Sequence, residues 1–301
     1  MPLHRLSHRE YTLFTHDPAT WEVYFTDMSV PTDDSEAYEA NPLHRWVYNK
    51  MLVCESQDMH CAPHGLKPDS FPVFSKPVYN LMGMGAGSMV INNESEYYEN
   101  ITPGHFWCPL LTGPHVSTDV AMVDGVVMWH ANATATPGCG GTFDMWTLDT
   151  SDINTSVRDW LEENLRGYTG VANVEHIGGK IIECHLRAAD QWPDLYGQNW
   201  PDALKRIYAD GTWSETERTS GYSVVLFGEH GRHYTHPDYE IIEKAMAEHQ
   251  LVSGIQITFP DAPLSQSNPP GGFRLAVVNG TDVEQCRQVR QVLTNTLLSN
   301  I

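Results

Sequence analysis

The chain has 301 residues, 41% of them hydrophobic and 9 of them Trp, which suits one large packed domain or two smaller ones and excludes a disordered chain. Its 38 acidic residues outnumber 18 Lys and Arg, and the net charge of −20 argues against nucleic acid or an anionic membrane as partner, since both are held through a positive field. Cys54, Cys61, Cys108, Cys139, Cys184 and Cys286 form no C-x-x-C pair, and neither a signal core nor a bilayer-long apolar run is present, so a reducing cytoplasm is the expected compartment.

In chain order, TWEVYFTDM (20–28) reads as a short strand and PTDDSEAYEANP (31–42) as an acidic loop. LHRWVYNKMLVCESQ (43–57) carries apolar residues at helical spacing and predicts one helix. FPVFSKPVY is a strand ending at Pro77, and NLMGMGAGSMV is a Gly-rich turn leading into another. HFWCPLLTG and HVSTDVAMVDGVVMWHANATA predict a strand, a turn and an antiparallel pair around Asp124-Gly125. SDINTSVRDWLEENLRGYTG opens on capping residues, ends at Gly and predicts an amphipathic helix. WPDLYGQNWPDALKRIYADG holds one short helix at most. Beyond it, GYSVVLFGEHG, HPDYEIIEKAMAEHQL, SGIQITFP, FRLAVVNG and DVEQCRQVRQVLTNTLL run strand, helix, strand, strand, helix, with a loop at SQSNPPGG. The organisation predicted is a short N-terminal segment (1–45), a core (46–200) and a small C-terminal α/β module (201–301), which is free to pack with the core as one unit.

NVEHIGGKIIECHLR (173–187) is the most informative stretch. Val174, Ile182, Cys184 and Leu186 alternate with Asn173, Glu175, Glu183, His185 and Arg187, which is the period of a strand. A two-residue Gly178-Gly179 loop puts Glu175 and Glu183 on opposite faces. A three-residue loop, Gly178 to Lys180, separates polar from apolar and sets Glu175 opposite Glu183 and Asn173 opposite His185, so the burial pattern selects it. Like charges directly opposite destabilise a sheet. Either a hard divalent cation with room for phosphate compensates them, or the face is solvated and Arg187 and Lys180 screen it.

FPVFSKPVYNLMGMGAGS places Lys76 on a strand ahead of Gly83, Gly85 and Gly87. Glycines let backbone amides approach an anion, and a nearby Lys adds point charge. The pattern is neither a P-loop nor a dinucleotide fingerprint, and taken alone a plain Gly-rich hairpin turn is its commoner explanation.

The order of these pieces resembles the ATP-grasp superfamily. The residues that carry the likeness are Lys50, SKP at 75–77, GMGAGS at 83–88, G-x-x-x-S-x-D at 113–119, YTG at 168–170 and the NVE…IIECHLR hairpin, about residues 41–187. The resemblance implies an α+β, two-lobed fold with mostly antiparallel sheets. It implies a ligase that uses ATP and Mg2+ to activate a small-molecule carboxylate as an acyl phosphate for attack by an amine. Carried over by position, Lys50 and Lys76 contact ATP phosphates, and Gly83, Gly85, Gly87 and Ser88 form a lid over them. Glu175 and Glu183 hold magnesium, with His185 where the family places an Asn ligand. Arg187, with Lys76, stabilises the transferring phosphoryl group.

Three departures accompany the likeness. Imidazole is a poorer magnesium ligand than an amide oxygen. FWCPLLTG lacks the acid expected for the ribose. Only 49 residues precede Lys50, where such proteins carry a full α/β domain, so the C-terminal region, a partner or a second copy of the chain is expected to complete the substrate surface. The departures leave a non-catalytic nucleotide-binding protein as a rival reading. His230, His233 and His236 in HGRHYTH, and His60, Cys61 and His64, raise a zinc hydrolase as a third.

Overall fold

The computed structural model describes residues 4–5, 12–15, 30–81, 85–259 and 269–298. The strand expected at 20–28, Gly83 of the glycine loop and the first half of SQSNPPGG lie outside the described residues. The strands are β1 (His4–Arg5), β2 (Thr12–Thr15), β3 (Ala62–Pro63), β4 (Val73–Pro77), β5 (Met89–Ile91), β6 (His105–Pro109), β7 (His115–Val123), β8 (Val126–Pro137), β9 (Phe143–Asp149), β10 (Gly170–Ile177), β11 (Lys180–His185), β12 (Gly221–Gly228), β13 (Val252–Ile257) and β14 (Phe273–Gly280). Among the described residues they form two antiparallel sheets. Ten strands run in the order β1-β2-β13-β14-β12-β9-β8-β7-β10-β11, and four in the order β3-β6-β4-β5. The helices are α1 (Asp34–Ala40), α2 (Lys50–Glu55), α3 (Glu94–Glu99), α4 (Thr155–Asn164), α5 (Trp200–Asp210), α6 (Tyr239–Glu248) and α7 (Val283–Leu298).

Three elements differ from the sequence reading. The expected acidic loop contains α1, whose N-cap Asp33 accepts from the Ser35 and Glu36 amides while Glu36 accepts from Thr32. These bonds satisfy the amides at the helix start, and they begin a helix without help from an apolar stripe. The single helix expected over 43–57 is two pieces, a 3-10 turn (Arg45–Tyr48) and α2. Asn49 interrupts them because its side chain caps the Met51 and Leu52 amides from an extended backbone. The segment expected to hold only a short helix carries the 11-residue α5, closed by Gly211 in the left-handed region.

The β10–β11 hairpin pairs Glu175 with Glu183 and Asn173 with His185, as the burial pattern requires, but by another route. Its loop is the two-residue Gly178-Gly179, with φ of 59° and 84°, the positive values that a tight hairpin turn of this kind needs. Ile177 faces Lys180 and His176 faces Ile181, so Ile182 is an extra residue opposite the Glu175–His176 step. This β-bulge restores the register that the short turn alone would break. It also places Ile181, rather than Ile182, in the core beside Val174, Cys184 and Leu186.

The sheet centre is covered on both faces. Val120, Met122, Ala172 and Val174 face one core cluster with α4, whereas Ala121 and Val171 face another built on Trp129, Trp146, Trp192, Tyr196 and Trp200. Along β7 and β10 the second face turns polar at Asp119, Ser117, Asn173 and Glu175, and that change is where the candidate site begins. β11 ends the large sheet. Its outer backbone is met by side chains from the other lobe: Gln57 bonds both the N–H and the C=O of Ile181, and Lys76 bonds the C=O of Ile182. The C-terminal strands continue the same sheet through the β9–β12 pairing, and α6 and α7 pack with them over a separate apolar cluster.

Candidate active site

Two lysines reach the hairpin from the small-sheet side. Lys50 opens α2, is 5% exposed, and its Nζ donates to Glu183 Oε1 at 2.5 Å. Lys76 lies on β4, is 3% exposed, and its Nζ donates to the Ile182 carbonyl at 2.8 Å. Glu183 Oε2 lies 3.3 Å from His185 Nε2, and His185 Nδ1 lies 3.0 Å from Asp34 Oδ1. Arg187 Nη2 donates to Asp34 Oδ2 at 3.0 Å, with Nε 2.8 Å from Oδ1. Across the hairpin, Glu175 Oε2 takes a 2.9 Å hydrogen bond from His115 Nε2. Lys50, Lys76, Glu175, Glu183, His185 and Arg187 thus meet along one hairpin.

The facing acids carry protein counterions. Burial pushes the Glu183 carboxyl up, but the charge of Lys50 and the bond from His185 outweigh it and hold the group well below its usual value. Glu175 is likewise pushed up by burial and held below its usual value by His115. Burial pushes His115 down, and Glu175 raises it above the ordinary imidazole value. The cost of opposing like charges is met by cations from three different elements.

His185 bridges two carboxylates through both ring nitrogens, so it is an imidazolium. Burial pushes it down, but the charge and hydrogen bond of Asp34, aided by Glu183, raise it to about 9. A doubly donating imidazolium has no lone pair for a cation, so the ligand role expected of His185 does not fit this arrangement. Glu175 and Glu183 do fit a hard cation. They are directly opposed oxygen donors with 29% and 19% of their side chains exposed. Among the described residues no group of three or more His, Cys, Asp or Glu forms a metal cage. Magnesium needs none, since one or two carboxylates plus phosphate oxygens and waters suffice.

The elevated His185 sets an expected pH dependence. Its folded value of about 9 exceeds the ordinary 6.5, so its contribution to stability is fully present below pH 6.5 and is lost as pH rises through 9. Urea midpoints measured across that range should fall in the wild type and fall less in His185→Gln.

The other expected residues are placed as follows. Ser88 donates its N–H to the Gly85 carbonyl, closing a turn, and a Cβ on Gly87 would stand 3.0 Å from His105 Nε2. That contact gives Gly87 a packing reason beyond its φ of 77°. Asp119 is buried. It accepts from the Ala189 amide, Asn173 Nδ2 and the Tyr196 hydroxyl, so it anchors the segment after Arg187 rather than a ribose. His230 and His236 bond separate backbone carbonyls, of Pro269 and Phe259, while His64 pairs with Ser75 and Thr102. Sequence reasoning missed Asp34 and His115. A capping signal at Asp33–Glu36 marks the helix that carries Asp34, whereas nothing local pairs His115 with Glu175, 60 residues away.

No protein-family profile matches the chain, and no curated protein matches it by sequence. Solved structures do match. An L-amino acid ligase from Bacillus licheniformis is similar over 88% of this chain and 76% of its own, at 14% identity and a TM-score of 0.62. A carboxyaminoimidazole ribonucleotide synthase from Aspergillus clavatus, complexed with ATP, is similar over 84% and 74%, at 11% identity and a TM-score of 0.61. A phosphoribosylamine–glycine ligase from Thermotoga maritima is similar over 89% and 83%, at 15% identity and a TM-score of 0.53. Together with the two-lobed, mostly antiparallel α+β architecture, these likenesses show that the chain has the ATP-grasp fold.

Proposed function

We propose that the protein is an ATP- and magnesium-dependent ligase that activates a small-molecule carboxylate as an acyl phosphate and joins it to an amine. The observation that carries this reading is the convergence of two buried lysines, two facing carboxylates and an Arg at the junction of the two sheets. Phosphoryl transfer asks of a protein mainly positioning and charge neutralisation, and this set supplies both. The solved structures that the chain resembles are ligases and a synthase, one of them complexed with ATP, which supports the same reading.

In this reading Lys50 and Lys76 release Glu183 and the Ile182 carbonyl and turn to the phosphates. Gly85, Gly87 and Ser88 lie over them as a lid. Glu175 and Glu183 would hold magnesium, which when bound neutralises phosphate charge. Arg187 orients the acceptor carboxylate and the transferring group. The C-terminal module (201–301), a partner or a second copy of the chain would supply substrate-binding surface. His115 and His185 keep the acids ionised before nucleotide arrives.

The test is thermal melting with ATP, ADP and a non-hydrolysable ATP analogue, each with and without magnesium. A ligand that binds only the folded state adds about 2.7 kcal/mol at a hundredfold excess over its dissociation constant. A magnesium-dependent rise is expected, and no rise with any nucleotide would sink the proposal. A second reading, a nucleotide-binding protein without turnover, is favoured by one observation: Arg187 is already engaged by Asp34. It predicts the same rise in melting temperature with no ATP consumption in any mixture of carboxylates and amines.

A further inference from the structure

Asp34 is the first residue of the seven-residue α1, and its side chain is 1% exposed. Its two oxygens are held by groups that lie together at the end of the hairpin. Oδ1 faces His185 Nδ1 at 3.0 Å and Arg187 Nε at 2.8 Å, and Oδ2 accepts from Arg187 Nη2 at 3.0 Å. Tyr48 Oη stands 3.5 Å from Oδ1. A guanidinium presenting two nitrogens to two carboxylate oxygens, beside an imidazolium, is a recognition geometry for a carboxylate. The donors belong to β11 and the residues that follow it, next to Glu183. The carboxylate comes from a separate, short helix more than a hundred residues earlier in the chain.

We propose that His185 and Arg187 form a carboxylate-binding site which Asp34 fills in cis, so that an external carboxylate enters only by displacing the start of α1. Burying the Arg187 guanidinium without a counter-anion is costly, and an empty site would be unstable. Asp34 keeps the site assembled until a competing carboxylate arrives. α1 is suited to this. It stays anchored in the core through Ala37, with Tyr38 packed against it, so only its start need move. The proposal rests on the ligase reading for the identity of the incoming carboxylate as substrate. Its test uses no nucleotide, so the two can fail separately.

The experiment is melting of the full chain carrying Asp34→Ala or Asp34→Ser, in rising acetate or formate, against sodium chloride at matched ionic strength. Both variants should melt below the wild type. Acetate and formate should return most of the loss in a saturable way, chloride should not, and the wild type should not respond. Equal effects of acetate and chloride on the variants, or an equal gain in the wild type, would overturn the proposal. If neither variant folds in plain buffer, refolding yield in acetate against chloride reads the same property, and equal yields would overturn it.

Discussion

On the proposed ligase reading, Lys76→Met should lower ATP turnover by about 10²–10³-fold, the loss typical of removing one preorganised donor from a developing charge. Methionine keeps the length and apolar stem of a side chain that is 3% exposed and lies over the Phe106 ring, so the packing of β4 survives. What disappears is the charge and the hydrogen bond to the Ile182 carbonyl. Leaving that carbonyl unpaired costs about 1–3 kcal/mol, too little to unfold a domain of this size, so the lost activity is separable from lost structure. Glu183→Ala should cost as much turnover for a different reason. It leaves Lys50 and His185 without the anion between them and removes half of the opposed carboxylate pair. The measurement is ATP consumption over a panel of carboxylates and amines, with circular dichroism of each variant as the control for folding. Full activity in both variants would show that the convergence at the hairpin is structural.

The same residues show how far the sequence could be read. The facing of Glu175 and Glu183 follows from alternation alone, because one face of the hairpin must be buried. The means of achieving it does not. A three-residue loop and a two-residue turn plus a bulge give the same pairing, and only backbone geometry chooses between them at Gly178, Gly179 and Ile182. Lys50 and Lys76 are legible as charged residues in a scarce-lysine chain, yet their partners without ligand, Glu183 and the Ile182 carbonyl, depend on how two sheets meet. Asp34 shows the opposite failure. Its local signal was present in Asp33 and Glu36, but a polar segment without apolar period reads as loop, and its link to His185 and Arg187 spans more than 150 positions. Local periodicity records which face is buried. It does not record which distant element covers that face.

Asp119→Ala should destabilise the fold by about 3–5 kcal/mol, the range for removing one partner from a buried charged network. Asp119 is 1% exposed and its two oxygens collect the Ala189 amide, Asn173 Nδ2 and the Tyr196 hydroxyl. These join β7, β10 and the segment that follows Arg187, so the truncation removes one acceptor from three buried donors at once. Burial pushes the Asp119 carboxyl up, and although the bonds from Tyr196, Asn173 and Ala189 oppose this, it settles at about 6 against an ordinary 3.8. The folded state therefore binds a proton that the unfolded state has released between those two values. This residue's contribution to stability is fully favourable below pH 3.8, declines as pH rises through 6, and is constant above. Asp34 and Glu183, held low, act in the other direction, so the wild-type profile alone does not isolate Asp119. The difference between wild type and Asp119→Asn does. That difference in urea-unfolding free energy should slope between pH 4 and pH 6 and lie flat at neutral pH. A flat difference throughout would mean that the Asp119 carboxyl titrates at its ordinary value, and that the anchor of the Arg187 segment carries its charge without penalty.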